Sequence, residues 1–482
     1  MRRAFAAAAL ALLAAGCGGP AAEESPAAVP DADRVFGAEQ HPRLLAEFGG
    51  AYAGDEARYV AAVGERVAAA AGLEGRCVFT LVNSDVVNAF AVPGCYIYIT
   101  RGLFGIVTSE AELASVLGHE VGHIVGGHSR RQGRRSIWRQ LGVAVVSLTG
   151  SERLTRLAGQ AAQYFGLRYS RNQEYESDDL GIRYLQRAGY DPYAAAEMLQ
   201  ALQRNERFLA ASGGRDEAKS IPEWASSHPL TDNRIRRAHE RAEATGLADD
   251  ELPERARAYL EEVDGLLYGD DPEQGFVLGR RFLHPLLRIG FEAPPGFTLT
   301  NSPRAIGLSG PGGLRGEFGG GRMGPGGLTG YAEALAGHIA GNAAGEVEAV
   351  DQGLVNGVPA VLVRLVLEGR NGAVPLSIAA YDAGGGQAYH FLIIEPPGTG
   401  GAGAVEALFG SFRRLSAAEA ASLRPRVIRT VAAGPGATLD AVARGMADDN
   451  GRALFLLLNG RTAGEPIRPG ELLKVVRYAD GR

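Results

Sequence analysis

The chain has 482 residues, of which 46% are hydrophobic, and a formal net charge of -6. This length exceeds one typical domain, so we expect a large core with additional domains. The small negative charge, without basic clusters interleaved with aromatic residues, argues against nucleic acid as a partner.

The amino terminus has the pattern of an export signal. Met1 to Arg3 is basic, and the apolar run Ala4 to Leu13 is too short to span a membrane. The next residues, Ala14-Ala15-Gly16-Cys17, resemble the lipobox of bacterial lipoproteins, which implies cleavage before Cys17 and lipidation of that residue. Ordinary secretion and an Ala-rich soluble helix are the alternatives.

The stretch after Cys17 is rich in Pro, Ala and acids as far as Asp33, which predicts a flexible tether. The expected boundaries are a signal peptide over 1–16 and a tether over 17–35. The lipobox resemblance together with Gly18 implies outer-membrane sorting, since Asp at that position is the usual retention signal. The mature protein would then face the periplasm.

Two further cysteines, Cys77 and Cys95, each precede or open a predicted strand. An even pair in an exported protein is consistent with one disulfide, which would join the two strands. Two buried thiols are the alternative. The second of these strands is predicted over Tyr96 to Thr100.

A helix with an HExxH motif follows, in which His119 and His123 lie one turn apart and Glu120 lies beside them. Ser109 and Glu112 predict a capping box at its start. Apolar residues recur at helical spacing and place Glu120 inside the apolar stripe, where a carboxylate is costly unless it is paired or bound to metal. The pattern predicts a zinc site with a general base; an ordinary amphipathic helix is the alternative.

Catalytic zinc usually has three protein ligands, so a third must be found. His128 is one residue short of the third His in the pattern HExxHxxGxxH, and we interpret it as a local structural histidine. A second helix is predicted over Asn172 to Gly189, on which Glu174 and Asp178 share the apolar face. We predict Glu174 as the third ligand and Asp178 as a supporting acid; a solvated charge run is the alternative.

These motifs resemble peptidase family M48, the gluzincins that include the CAAX prenyl proteases, HtpX and periplasmic BepA. The resemblance rests on His119 to His123 and on Glu174 to Asp178, and it covers about Phe36 to Gly269. Two more elements agree: the edge strand Asn88-Ala89-Phe90-Ala91, which leads through Pro93-Gly94 and the next strand to Arg101-Gly102-Leu103, and the downstream segment Ser227-His228-Pro229-Leu230 with Arg234.

The resemblance implies one Zn²⁺ bound by His119, His123 and Glu174, with Glu120 as the catalytic base. It assigns Asp178 the role of a proton donor or orienter. It also implies that an extended substrate adds a strand beside Asn88 to Ala91. Ser177 and Cys95 depart from the residues usual in the family, but neither change removes a ligand.

The segment that contains His228 has two interpretations. Resemblance to periplasmic members implies that His228 reaches the zinc, as a fourth ligand that closes the site or as an oxyanion stabiliser, with Arg234 beside it. A structural His-Pro turn is the alternative. We predict a self-inhibiting plug.

The residues from Gln132 to Gly150 include Trp138 and a short apolar run that is too short to span a membrane. We expect a helix packed on the catalytic core, with membrane contact as the alternative.

From Asp270 the composition becomes rich in Gly and typical of strands. Strands are predicted over Val361 to Leu367, Leu376 to Tyr381 and Tyr389 to Ile394, and helices over Ala332 to Ala344 and Ala404 to Phe412. Gly307 to Gly330 is predicted to be a flexible surface loop, because it lacks the strand, helix and lysine context of a phosphate cradle. No catalytic constellation lies here, so we expect an accessory α+β domain over 270–422 for substrate or partner binding.

The last segment, 423–482, predicts the order strand, helix, helix, strand. The phrases Gly436-Ala437-Thr438-Leu439, Leu458-Asn459-Gly460 and Ile467-Arg468-Pro469-Gly470 resemble a LysM module, which implies a βααβ fold that binds cell-wall glycan. Ala437 stands where the module usually has Asp, so a structural copy without sugar binding is the alternative.

The sequence therefore predicts an α+β protein with a mainly helical zincin domain over 36–269, an accessory domain and a LysM-like domain. Its predicted function, implied by the family resemblance and the export signal, is zinc-dependent endopeptidase cleavage of misfolded or stalled envelope proteins. The expected partners are such substrates, the membrane through the lipid anchor, and peptidoglycan. A tethered substrate-binding or chaperone-like protein with a structural, self-blocked zinc site is the first alternative, and a wall-anchored interaction protein is the second.

Overall fold

The computed structural model describes residues 29–131, 169–212, 224, 228–340, 345–369, 372–395 and 401–479. Within these ranges, none of the helices has both the length and the apolar character needed to cross a bilayer. The predicted signal peptide, Cys17, the segment Gln132 to Gly150 and Ser227 lie outside the described residues.

The first part of the chain combines helices with a small sheet. Its elements are α1 (Asp31–Glu47), α2 (Asp55–Ala70), β1 (Val78–Val82), β2 (Ala89–Val92), β3 (Tyr96–Thr100), α3 (Arg101–Ile106), α4 (Glu110–Val125), α5 (His128–Arg131), α6 (Arg171–Ala188), α7 (Ala194–Ser212), α8 (Asp232–Glu243), α9 (Ala256–Glu262) and β4 (Leu267–Tyr268). The sheet has the order β1-β3-β2, with β1 parallel and β2 antiparallel to β3, so β2 lies at an edge.

The tether prediction is wrong at its end, because α1 already begins at Asp31. Asp31 and Asp33 lie in its first turn, where carboxylates are stabilised by the helix dipole. Two of the acids that made this stretch look disordered, Asp31 and Asp33, are therefore helix-start residues.

The two helices predicted to carry the site are both present, with bounds close to those expected. Ser109 caps α4 by accepting from the Glu112 amide at 3.1 Å. The predicted capping box is wrong, because the Glu112 carboxylate accepts instead from the amide of Thr108 at 2.7 Å and from its Oγ1 at 2.9 Å. The capping box occurs on α6, between Ser170 and Gln173, and Gly189 ends that helix at a φ of 79°.

The middle of the chain is a β-rich region with two sheets. Its elements are β5 (Phe276–Leu278), β6 (Arg281–His284), β7 (Ile289–Glu292), β8 (Thr298–Thr300), β9 (Ile306–Ser309), a 3₁₀ turn (Pro311–Gly313), β10 (Arg315–Arg322), α10 (Gly327–Ala340), β11 (Gly345–Val355), β12 (Val358–Gly369), β13 (Gly372–Gly384), β14 (Gln387–Ile394), α11 (Ala402–Gly410), β15 (Arg413–Arg414) and α12 (Ala417–Ser422). The larger sheet has the order β11-β12-β13-β14-β10-β9-β8, and the smaller has the order β15-β7-β6-β5.

The larger sheet is covered on both faces. One face packs aromatic residues, among them Phe318 and Phe391, against the smaller sheet and α11. The other face packs Val363 and Leu365 against α10. This region is therefore an α+β unit with two apolar layers.

The prediction of a flexible loop over Gly307 to Gly330 is wrong. Strand β10 runs through this glycine-rich segment and pairs with β14 on one side and β9 on the other. A Cβ on Gly316 would lie 2.2 Å from the Leu392 carbonyl oxygen, and one on Gly320 would lie 2.9 Å from Tyr389 Cδ1. Glycine is thus required here for close packing of the sheet and does not mark a loop.

The carboxyl-terminal segment has the predicted order of strand, helix, helix, strand. Its elements are β16 (Arg426–Ala432), α13 (Leu439–Arg444), α14 (Gly451–Leu458) and β17 (Leu472–Tyr478). Strand β16 pairs with β17 and also with β4. The buried residues Phe455 and Val475 belong to the same hydrophobic core as α4, so this segment packs directly on the helical part.

Candidate metal centre

Close packing of α4 on α6 brings the site residues together. A Cβ on Gly118 would lie 3.3 Å from Gly181 Cα, and one on Gly122 would lie 3.0 Å from the Ser177 carbonyl oxygen. These small residues allow the two helix backbones to approach closely. As a result Glu174 of α6 lies against both histidines of α4.

Four buried side chains converge on one point. His119 Nε2 lies 3.0 Å from His123 Nε2 and 3.3 Å from His228 Nδ1. Glu174 Oε1 lies 3.0 Å from His228 Nδ1 and 3.5 Å from His123 Nε2. One atom from each of these four residues lies within 4.8 Å of every other.

The ring of His119 is held from behind by an acid. Its Nδ1 donates to Asp178 Oδ1 at 2.9 Å, which leaves the Nε2 lone pair of the neutral ring facing the centre. Asp178 also accepts from Arg234 Nε at 2.9 Å and from Nη2 at 2.7 Å, and Arg234 Nη1 lies 2.7 Å from Glu174 Oε2. Arg234 therefore bridges Asp178 and Glu174 of α6, which leaves its guanidinium little capacity to stabilise an oxyanion.

His123 is oriented by a relay that the sequence did not predict. Its Nδ1 lies 2.7 Å from His128 Nδ1, and His128 Nε2 lies 3.2 Å from Glu176 Oε2. Because a carboxylate only accepts, His128 must donate through Nε2, so that His123 donates to its Nδ1. This tautomer again leaves the His123 Nε2 lone pair for the centre. His128 therefore orients a predicted ligand, a role that its interpretation as a local structural histidine did not include.

Burial and neighbouring charges set the protonation of the site. Burial lowers the pKa of His123 well below its usual value, and the charges of neighbouring histidines lower it further. Burial alone would raise the pKa of Asp178, but the Arg234 charge and the His119 hydrogen bond hold it far below normal. Asp178 is consequently ionised near neutral pH, which suits an acid that orients His119 and does not suit a proton donor.

Glu120 lies at the edge of this cluster and is fully buried. Neither of its carboxylate oxygens accepts a well-formed hydrogen bond from the described residues, although the Ala91 backbone of β2 lies close by. Burial raises its pKa above the usual value. A buried carboxylate with raised proton affinity beside the converging donors has the properties of a general base that can also hold a proton.

These observations fit a zinc ion. Two imidazole lone pairs and a carboxylate point at one volume, and a third imidazole approaches it, which is the nitrogen and oxygen donor set that tetrahedral zinc takes. The acid and the histidine that lie behind the two rings match the outer contacts usual for metal-binding histidines. Without a cation, three imidazoles packed this closely would leave nitrogen atoms facing one another.

The predicted substrate strand lies beside this centre. Ala89, Phe90 and Ala91 lie in β2 at the sheet edge, and their side chains are buried. Asn88 precedes the strand; its backbone pairs with Thr100, and its buried side-chain amide makes no hydrogen bond with the described residues. Cys77 and Cys95, at the starts of β1 and β3, are joined in a disulfide in the same sheet.

Two aromatic residues at the site escaped the sequence prediction. Tyr169 stacks on His123 with ring centroids 3.8 Å apart, and Trp224 stacks on His228 at 4.3 Å. Trp224 also lines an apolar cavity beside His119, together with Met198, Leu199 and Leu202. Neither aromatic lies on a periodic apolar face; the only available signal was the position of Trp224 four residues before His228.

Comparison with known proteins agrees with this geometry. The sequence model of peptidase family M48 matches residues 55–242. The chain is 34% identical over 197 residues to the beta-barrel assembly-enhancing protease of Yersinia pestis, covering 38% of each protein. It is 31% identical over 175 residues to the protein of that name in Escherichia coli (strain K12), covering 34% of each.

A mitochondrial protein is also similar. The human metalloendopeptidase OMA1 is 28% identical over 168 residues, which cover 33% of this chain and 31% of that protein. The chain therefore spans about a third of the length of each of these curated relatives. The matched segment contains all four converging residues and Glu120.

Proposed function

We propose that this chain, whose residues 55–242 match the sequence model of peptidase family M48, is a zinc-dependent endopeptidase that cleaves extended polypeptides. The observation that carries the proposal is the convergence of His119, His123 and Glu174 beside the buried Glu120. A purely structural metal site has no need of a glutamate at that position.

The roles of the side chains follow from their contacts. Zinc, when bound, supplies Lewis acidity that lets water act as a nucleophile near neutral pH. Glu120 takes the proton of the attacking water and passes it to the leaving amine, for which its raised pKa is suited. Asp178 and His128 keep His119 and His123 in the tautomers that bind a cation.

The edge strand β2 supports a preference for extended substrates. Its outer edge has no strand neighbour among the described residues, and its Ala91 backbone lies beside Glu120. An extended chain paired there would present its scissile peptide to Glu120 through backbone hydrogen bonds, which tolerate many sequences.

The proposed setting is the bacterial cell envelope, with misfolded or stalled exported proteins as substrates in protein quality control. The support is the export signal with Cys17, which predicts a periplasm-facing lipoprotein in the outer membrane, and the name of the similar beta-barrel assembly-enhancing proteases. Glycan binding by the LysM-like segment is part of the same proposal and rests on its βααβ order and motif resemblance.

A second candidate function has one observation in its favour. His228 is buried among the same donor atoms as the predicted ligands, and its Nε2 lies 3.6 Å from Glu120 Oε1. A site closed in this way suits a substrate-binding or chaperone-like protein whose metal is structural. Complete self-blocking would leave substrate capture as the main activity.

Zinc content and cleavage of unfolded casein, measured together, test the proposal. We expect near-stoichiometric zinc in the wild-type protein and in Glu120→Gln, with cleavage only in the wild type. Zinc in both proteins without cleavage in either, even after His228→Ala, would support the binding protein instead.

A further inference from the structure

Exposed apolar side chains are concentrated on one edge strand of the accessory region. Val347, Val350 and Leu354 of β11 are 57%, 46% and 73% exposed. They make up three of the ten large apolar residues that are exposed in the described part of the chain. Long apolar edge strands are templates for pairing, and proteins usually protect them.

The turn after β11 shows which backbone groups face outward. Asn356 and Gly357 have φ values of 49° and 79° and connect Val355 to Val358, as in a two-residue hairpin. The closing pair is hydrogen bonded, so the next pair, Leu354 with Pro359, is not. The N–H and C=O groups of Leu354, Gln352 and Val350 therefore point away from β12, toward the outer edge.

The exposed residues continue an existing apolar layer. Val347 lies opposite Leu365, and Val350 lies opposite Val363, and both of these partners pack against α10. Directly opposite residues of an antiparallel pair share a face, so the exposed strip lies on the α10 side of the sheet. An extended segment added here would extend the layer without rearranging it.

The charges of β11 define the partner further. The strand contains no Lys or Arg, and neither Glu348 nor Asp351 has an ion-pair partner among the described residues. Asp351 lies opposite Leu362, on the face away from α10. Pairing with a second copy of this strand would bring like charges together, whereas a basic strand would neutralise them.

We propose that β11 is a docking strand for an extended polypeptide segment in which apolar residues alternate with Lys or Arg. Backbone pairing at Val350, Gln352 and Leu354 sets the register, the apolar residues cover the strip, and the basic residues meet Glu348 and Asp351. The identification of this segment as part of a substrate rests on the proposed peptidase function, but binding itself does not require the metal centre.

Titration of a fluorescent peptide of alternating valine and lysine tests the proposal. The titration uses the full chain with Glu120→Gln, so that cleavage does not interfere, and fluorescence anisotropy reports binding. We expect saturable binding that weakens at least tenfold with Val350→Lys and with Gln352→Pro. The Val350 side chain is nearly half exposed and the Gln352 N–H points outward, so both variants leave the β12 ladder intact.

The control is Leu278→Lys, which places the same charge at a 45% exposed residue on the short edge strand β5 of the other sheet. This variant should bind as the parent does, and a peptide with glutamate in place of lysine should bind at least tenfold more weakly. Equal binding by all variants, or by the acidic peptide, overturns the proposal. So does a dimer in sedimentation equilibrium that Val350→Lys dissociates, because the occupant would then be a second copy. Failure of the peptidase proposal would appear in the casein assay and not in this titration.

Discussion

The hydrogen bonds made by the Nδ1 atoms of His119 and His123 fix the orientation of both rings at the candidate centre. Each ring donates its Nδ1 hydrogen to a separate support, Asp178 in one case and His128 in the other. Asp178 and His128 are both buried, so water does not compete for these two hydrogen bonds. The two nitrogens that face the centre are thus fixed in tautomer and direction before any cation binds.

The first prediction concerns Asp178→Asn. An amide cannot attract the His119 hydrogen as a carboxylate does, and it removes the charge that faces Arg234. Outer contacts of this kind typically change metal affinity 10- to 100-fold, and we expect zinc affinity to fall by about that factor. Competition with a chromogenic chelator measures it.

The neighbouring acid provides the control for that experiment. Asp179 pairs with Arg237 and Arg241 at the surface of α6 and faces away from the centre. Asp179→Asn should leave zinc affinity within twofold of the wild type. Equal losses in the two variants would mean that Asp178 has no specific role.

The sequence predicts the residues of the centre better than their supports. The spacing of His119, Glu120 and His123, and the shared face of Glu174 and Asp178, are local properties of single helices, so they can be read directly. The contact between His128 and His123 depends on a turn at Gly127 with a φ of 61°, which no periodic pattern reveals. Trp224 was missed for the same reason, because it lies on no periodic apolar face.

At the scale of elements, one backbone hydrogen bond couples His228 to Trp224. The His228 amide donates to the Trp224 carbonyl at 2.7 Å, and the two rings stack. Trp224 is 3% exposed and is one of the residues that line the apolar cavity beside His119. Moving His228 away from the centre therefore has to disturb a buried aromatic side chain, which stabilises the closed arrangement.

The second prediction follows from this coupling. Trp224→Ala removes apolar burial that is worth roughly 2 to 3 kcal/mol, and His228→Ala removes the blocking imidazole itself. We expect both variants to cleave unfolded casein faster, with a gain of up to about 30-fold, the factor that corresponds to 2 kcal/mol. Initial cleavage rates at saturating zinc provide the measurement.

Here the matched substitution is His239→Ala, which removes an exposed histidine of α8 that pairs with Glu243 at the surface and lies edge-on to the Tyr193 ring. Its cleavage rate should equal that of the wild type. A slower rate in His228→Ala would contradict the plug and favour a catalytic role for that residue.

The elements that the sequence predicted poorly are those in which tertiary packing determines the residue type. The glycines of β10 look like a loop in isolation, yet they allow β14 to pack closely against the strand. By contrast, β12, β13 and β14 have long apolar or alternating patterns and were predicted within a few residues. A periodic apolar pattern identifies strands that pack through their side chains. It misses a strand such as β10, in which close packing requires glycine.

At the scale of the whole molecule, the carboxyl-terminal segment and the catalytic helix share one core. Lys474 of β17 is fully buried and donates through Nζ to the carbonyl oxygens of Gly105, at 2.8 Å, and Val107. Those carbonyls lie just before α4, the helix that holds His119 and His123. The segment therefore supports the catalytic helix directly, whatever it binds.

The third prediction is a pH dependence of stability. Burial lowers the pKa of Lys474 to about 7 from the usual 10.5. Between these values the unfolded chain binds a proton that the folded chain does not, so this residue makes stability rise with pH by at most about 1.4 kcal/mol per unit. Below pH 7 both states are protonated and its contribution is constant.

Urea unfolding at pH 7.5 and pH 9.5 tests this for the wild type and Lys474→Met. Methionine has a similar length and no charge, so the variant should show a smaller gain in unfolding free energy between the two pH values. The same gain in both proteins would show that Lys474 does not titrate in this range.

Zinc K-edge X-ray absorption of the wild-type protein and of His228→Ala tests the central claim, a single zinc ion held by His119, His123 and Glu174, most directly. We predict nitrogen and oxygen neighbours at about 2.0 Å, with the scattering of three imidazoles in the wild type and two in the variant. Bound zinc with fewer than two imidazole neighbours in the wild type, or with sulfur neighbours, would contradict the account.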